Sequence, residues 1–153
     1  MRRLYVAYGS NLNVEQMGFR CPSAKIYGVG VLKNWELLYR GSKTGAYATI
    51  KRCAGSSVPV VVWAIGENDE RSLDRYEGYP TFYFKQNVMV DLPFGKKKAM
   101  VYIMNTFARP GIPTQHYVDV VRQGYKDNSL DEEYLDNSLH KNMLECKKDV
   151  QYH

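Results

Sequence analysis

The sequence predicts an α+β domain, and three observations carry that reading. Short apolar or alternating runs are separated by Gly, Asn, Ser, Pro and Lys turns, so neighbouring strands pair locally. Helical patterns interrupt them at few places: after the first apolar run, after Ile65, and again beyond residue 113. This differs from the regular strand–helix alternation of a doubly wound parallel sheet. The chain has 153 residues, the length of one ordinary domain, with no internal repeat, low-complexity tract or linker. Residues 1–144 are read as that domain and residues 145–153 as a charged, expendable tail.

The first element is a short apolar strand, Leu4-Tyr5-Val6-Ala7, which breaks into Tyr8-Gly9-Ser10-Asn11-Leu12. Asn13 to Arg20 suits a helix, with Asn13 and Gln16 as a capping pair. Lys25 to Leu32, Trp35 to Arg40 and Tyr47 to Ile50 read as separate short strands, and Val58 to Ile65 as a buried one. A helix follows. Asn68 is its N-cap, Asp69 and Glu70 suit its first turn, Leu73 and Tyr76 share an apolar face, and Gly78 supplies the stop. Phe82, Phe84, Val88, Val90 and Leu92 alternate with Tyr83, Lys85, Asn87 and Asp91, the period of a half-buried strand. Pro93-Phe94-Gly95 turns the chain back, and Lys98 to Thr106 forms the antiparallel return. Two helical patterns close the chain, Thr114 to Gln123 and Leu130 to Met143. The second is announced by a capping box of Ser129 with Glu132 and by Leu135, Leu139 and Met143 at helical spacing.

Composition excludes several classes. Cys21, Cys53 and Cys146 are an odd number with no Cys-x-x-Cys pair, so neither a disulfide framework nor a zinc site is indicated, and a reduced cytoplasm fits best. The longest apolar stretch, Val58 to Ile65, is far below the roughly 18 residues of a membrane span. The net charge of +5 suits attraction of an acidic small molecule, whereas Lys96-Lys97-Lys98 reads as a solvated hairpin run that protects a sheet edge and not as a specific nucleic-acid site. Thirteen tyrosines suggest a site walled by rings with hydroxyl tips, though many suit the edge of a core.

Two features carry chemistry. In Gly9-Ser10-Asn11 a glycine followed by small polar residues lets successive N–H groups turn inward on one centre, and the next helix adds the positive end of its dipole. Such a loop binds an anion, and the same composition also suits a plain strand-to-helix turn. Glu77 is a carboxylate in the last turn of its helix, facing the negative pole, an arrangement that costs a few tenths to about 1 kcal/mol. Residues that break a local rule are candidates for function, and the alternative is an exposed glutamate at a fraying end.

Tyr8-Gly9-Ser10-Asn11-Leu12, followed by Met17 and Arg20-Cys21-Pro22, resembles the gamma-glutamylcyclotransferase family with its AIG2-like members. Leu73-Asp74-Arg75-Tyr76-Glu77-Gly78 with Tyr83 resembles the segment holding that family's catalytic glutamate, and Val101-Tyr102-Ile103-Met104 its late strand. Pro113, Tyr117, Gly124, Leu130 and Tyr134 are similar to its C-terminal helical segment, so the likeness spans residues 4 to about 140 in order. The resemblance implies a mixed, mostly antiparallel sheet curled into a small open barrel, with helices packed outside and a cavity at one end. It implies release of 5-oxoproline from a γ-glutamyl amine or amino acid, without cofactor or metal. Glu77 would be the general acid/base. Tyr8, Gly9, Ser10, Asn11 and Leu12 would hold the glutamyl α-carboxylate, mainly through backbone N–H groups, with Tyr83 and Tyr117 as pocket tyrosines. Tyr76, Tyr79, Phe82 and Tyr83 could screen Glu77 from water.

Competing signals are weaker. Gly41-Ser42-Lys43-Thr44 lacks the glycine spacing of a phosphate-binding loop, and His116, His140 and His153 have no metal spacing. A non-catalytic small-molecule or protein-binding module on the same fold is the alternative function, since fold does not guarantee activity.

Overall fold

The computed structural model describes residues 2–41, 45–105 and 108–152, with side chains through residue 148. Its strands are β1 (Arg3–Ala7), β2 (Lys25–Gly41), β3 (Tyr47–Ile65), β4 (Tyr83–Leu92), β5 (Gly95–Met104) and β6 (Arg109–Pro110). Its helices are α1 (Val14–Arg20), α2 (Glu67–Glu77), α3 (Gln115–Asp127) and α4 (Glu132–Tyr152), with a 3-10 turn at Ser10–Leu12. The strand order is β3-β1-β5-β4-β2-β6, and β3 also pairs β2, so five strands close into a ring to which β6 is appended. The sheet is mixed because β1 runs parallel to β5 and antiparallel to β3. The ring is thin at the β2–β4 seam, where Val31 opposite Asp91 is the pairing, so the barrel is open there.

Alternation of side chains across the sheet produces two cores. Val6, Val58, Val60, Val62, Val88, Val90, Ala99 and Val101 fill the barrel. Tyr5, Ala7, Val61, Trp63, Ile65, Met100 and Tyr102 point outward, where Met17, Leu73, Val121, Tyr125 and Leu135 from the helices cover them. Burial on both faces explains the unbroken apolar run from Val58 to Ile65.

Several sequence expectations change. The strands read as ending at Leu32 and beginning at Trp35 are one strand, because Asn34 adopts a left-handed conformation (φ 68°) that absorbs a bulge. Its Oδ1 accepts a hydrogen bond from Gly55 N at 3.1 Å, and Gly55 (φ 86°) likewise carries β3 through the expected break. Pairing from Lys25 with Ala64 to Arg40 with Tyr47 outweighs the local turn signals. Lys96, Lys97 and Lys98 lie on β5 and not in the hairpin turn, which is Pro93-Phe94. Thr106, the expected end of that strand, and Ser42–Thr44 lie outside the described residues, as does His153. Phe82, read as part of the strand, lies just before β4 and is exposed, while Tyr83, the first residue of β4, is buried.

Helix ends shift for similar reasons. Asn13 caps α1 as expected, its Oδ1 accepting from Gln16 N at 2.9 Å. α2 starts beyond Gly66 and not at Asn68, because Asp69 reaches back to accept from Gly66 N at 3.0 Å. Tyr76 is exposed on one side and does not share the buried face of Leu73. Ser129 does not cap α4. It is the left-handed residue (φ 54°) that ends α3, with Ser129 N on Lys126 O and Leu130 N on Tyr125 O in a Schellman arrangement. Asp131 takes the capping role, accepting from Glu133 N at 3.0 Å. α4 continues past residue 144, and Glu145 pairs with Arg40 at 3.0 Å.

One glycine sets the placement of the loop after β1. A Cβ at Gly124 would lie 2.6 Å from Asn13 N and from Leu12 C, so only glycine lets α3 press this closely against residues 12 and 13. Asn128 Nδ2 and Asn13 Nδ2 tie the same junction, bonding Leu12 O at 2.8 Å and Val120 O at 3.1 Å.

Candidate active site

A cavity of about 370 Å³ opens beside the end of β1, walled by the loop after β1, the end of α2, the start of β4 and one face of α3. Gly9, Ser10 and Asn11 form its floor on one side, and Leu12 N and Asn13 N bond back to Gly9 O and Ser10 O at 3.0 and 3.1 Å. Among the described residues, the N–H groups of Gly9, Ser10 and Asn11 make no such bond. Leu12 departs from the sequence expectation: its side chain is fully buried in the outer core, its N–H is spent within the turn, and it does not line the cavity.

Glu77 ends α2 and lines the cavity opposite that loop. Gly78 (φ 65°) turns the backbone away immediately after it, and Tyr79 N closes the helix end on Asp74 O at 2.9 Å. Burial among the surrounding rings pushes the Glu77 carboxyl up from 4.5 to about 7, and the nearby Arg20 cation pulls the other way.

Tyrosines supply most of the wall. Tyr8 donates its hydroxyl proton to Tyr102 O at 2.7 Å. Tyr83 donates to Ala48 O at 2.8 Å, while Tyr117 accepts from Ala48 N at 3.0 Å, so the two phenols grip one residue of β3 from both of its polar ends. Accepting that bond leaves the Tyr117 proton available to the cavity. Gly9 lies close by: a Cβ there would stand 3.0 Å from the Tyr117 hydroxyl oxygen and 3.2 Å from Ala48 Cβ. Burial pushes the Tyr8, Tyr83 and Tyr117 hydroxyls far up, so all three stay neutral. Tyr76 and Phe82 line the cavity as expected, but Tyr79 does not; its ring packs beneath Lys85 Nζ at 4.4 Å.

The structure adds residues that sequence reasoning had not placed in the site: Tyr5, Tyr47, Arg75 and Tyr102 line the cavity, and Arg20 stands behind its loop. Tyr47 packs edge-on against both Tyr117 and Phe82, at 5.3 and 6.4 Å between centroids. Arg20 was legible as part of the Arg20-Cys21-Pro22 motif and as a basic residue at a helix C-terminus, neither of which places it beside the cavity. Behind the cavity, Asp74 accepts from the Tyr102 hydroxyl at 2.6 Å and pairs with Lys85 at 2.9 Å, which anchors α2 to β4 and β5.

Among the described residues no group of three His, Cys, Asp or Glu side chains could hold a metal ion, and no helix is long and apolar enough to cross a membrane. Burial and Asp69 push the Cys21 thiol up to about 12, which keeps it from acting as a thiolate at neutral pH.

Known proteins resemble this chain in sequence and fold. Residues 5–122 match the family model described as gamma-glutamyl cyclotransferase, AIG2-like. The chain is 34% identical over 139 residues to the gamma-glutamylcyclotransferases of Bos taurus and Homo sapiens, a match covering 86% of this chain and 74% of each of those proteins. A solved gamma-glutamyl cyclotransferase structure superposes with a TM-score of 0.82 at 30% identity, covering 90% of this chain and 86% of that one. A Bacillus subtilis protein shares the fold, with a TM-score of 0.78 at 20% identity over 91% of this chain and 54% of that one. The chain, an enzyme of the gamma-glutamylcyclotransferase kind, belongs to the gamma-glutamyl cyclotransferase, AIG2-like family.

Proposed function

We propose that this protein releases 5-oxoproline from a γ-glutamyl amine or γ-glutamyl amino acid by intramolecular aminolysis, as a cytoplasmic lyase with Glu77 as general acid/base. The observation that carries the reading is a carboxyl lifted to about 7 inside a tyrosine-walled cavity, across from a loop with unspent N–H groups.

A γ-glutamyl compound holds its own nucleophile. Its α-amine attacks the γ-carbonyl carbon, forming the lactam C–N bond, and the original C–N bond breaks as the amine leaves. The attacking nitrogen loses a proton and the leaving nitrogen gains one, so a single carboxyl near neutrality serves both transfers. The loop 9–11 would seat the α-carboxylate and the Tyr117 hydroxyl would donate beside it, which fixes the chain in a folded shape for ring closure. Tyr8 and Tyr83 contribute apolar walls, their hydroxyls being engaged with the barrel. The ligand is a small molecule, which a cavity of about 370 Å³ suits.

Screening γ-glutamyl amines and dipeptides, with 5-oxoproline followed by mass spectrometry, tests the reaction class. Glu77→Gln keeps shape but cannot shuttle a proton, and its turnover should fall about 10²-fold to 10⁴-fold. A folded Glu77→Gln protein with parental turnover would sink the assignment.

A further inference from the structure

One guanidinium touches both halves of the cavity. Arg20, the last residue of α1, donates through Nη1 to Asn11 Oδ1 and, at 3.4 Å, to Ser10 Oγ, while Nη2 donates to Gln16 Oε1 at 3.1 Å. Its flat face lies over the Tyr76 ring, 3.5 Å from the centroid. The Tyr76 hydroxyl meets Ser10 Oγ at 3.2 Å, which closes a circuit from the loop through Arg20 to the residue preceding Glu77. Asn11 is held from behind as well, its Nδ2 donating to the Tyr5 hydroxyl at 2.9 Å and its carbonyl accepting from Trp63 Nε1 at 3.0 Å.

We propose that Arg20 is a positioning residue for the cyclisation assigned above: it locks the loop 9–11 to the Tyr76–Glu77 end of α2, so that substrate seat and proton-moving carboxyl share one frame. The inference rests on that functional reading. A planar guanidinium can bond through its edge and stack through its face at the same time, which an ammonium cannot do. The bonded acceptors are all neutral, and among the described residues Arg20 forms no salt bridge, so its charge is not cancelled where it sits.

That charge has a second effect. The groups facing Glu77 from β1, the loop, β4 and α3 are Tyr5, Tyr8, Tyr83 and Tyr117, all neutral phenols. Tyr47 from β3, Tyr102 from β5, and Arg75 and Tyr76 from α2 complete the wall, while Lys85 pairs with Glu70 and Asp74. Arg20 is the cation whose field favours the ionised Glu77, and it offsets part of the desolvation that opposes it.

The test separates fork from charge. Protein labelled with 13C at glutamate Cδ gives the Glu77 signal by its loss in Glu77→Gln, and its titration is followed in the parent, Arg20→Lys and Arg20→Met. Binding of γ-glutamylalanine is measured by calorimetry in the Glu77→Gln background, where turnover does not interfere. Arg20→Lys keeps the charge, so Glu77 should titrate as in the parent, while Kd rises about tenfold because the fork is lost. Arg20→Met should raise Kd similarly and move the Glu77 titration alkaline by about 1 unit. Should Arg20→Met unfold, Arg20→Gln removes the charge while keeping a donor for Asn11 and serves the titration. A parental Glu77 titration without the charge, or a parental Kd in Arg20→Lys, overturns the inference. A parent that binds γ-glutamylalanine but yields no 5-oxoproline from any γ-glutamyl compound refutes the functional reading instead, and the titration still judges Arg20.

Discussion

Replacing Glu77 by Gln should make the protein more stable above neutrality while removing its activity. The carboxyl rises from an ordinary 4.5 to about 7 in the fold, so between those pH values the folded protein keeps a proton that the unfolded chain has released. Stability therefore falls as pH rises through this window. A shift of about 2.5 units at about 1.4 kcal/mol per unit sets a ceiling of about 3.5 kcal/mol, and water in the cavity reduces it to about 1–3 kcal/mol. Gln carries no such penalty. Below pH 4.5 the two proteins should unfold at similar temperatures, and above about pH 7 the variant should be higher by roughly 3–9 °C for a domain of this size. Other titrating groups, such as the Lys85–Glu70 pair, are common to both proteins and cancel in the difference. Thermal unfolding by circular dichroism from pH 4 to 8 measures it. A melting-temperature difference that stays constant across that range would refute the claim that the fold disfavours an ionised Glu77, and with it the argument for a poised proton shuttle.

Gly9→Val places branched carbon against the Tyr117 hydroxyl and Ala48, and steady-state kinetics should show KM raised by tenfold or more, with a change at the remote Gly95 silent by comparison. Replacing the α-carboxylate of a γ-glutamyl substrate by carboxamide should lower kcat/KM; equal reactivity would show that the loop does not read a carboxylate. Gly124→Ala drives a methyl into the backbone of residues 12 and 13 and should destabilise by about 1–3 kcal/mol or more, seen as a lower denaturation midpoint. Neutralising Lys96, Lys97 and Lys98 at the exposed start of β5 should leave 5-oxoproline formation nearly unchanged, and tight, salt-sensitive nucleic-acid binding by the parent would contradict a pocket enzyme.

Much of this molecule is legible from near neighbours along the chain. The period of two in Val88, Val90 and Leu92, the Asn13 cap, the Gly78 stop and the misplaced charge of Glu77 are local facts, and local physics reads them. The order of the motifs also carried the family and, through it, the barrel. Local signals failed where distant pairing outweighed them. Asn34 and Gly55 look like turns, yet the long antiparallel register between β2 and β3 keeps Asn34 within β2 and Gly55 within β3. Ser129 looks like a helix start because its three-residue spacing to Glu132 is right, but the carbonyls of α3 claim its backbone first. The cavity is the extreme case. Tyr5, Tyr47 and Tyr102 are ordinary residues in their own segments, and Leu12 sits in the loop motif but packs into the core. Arg20 meets Tyr76 across 56 positions of sequence, and Tyr83 meets Ala48 across 35. Closing the sheet into a ring brings such residues together, and no periodicity within a segment encodes which rings will face one another once it has closed.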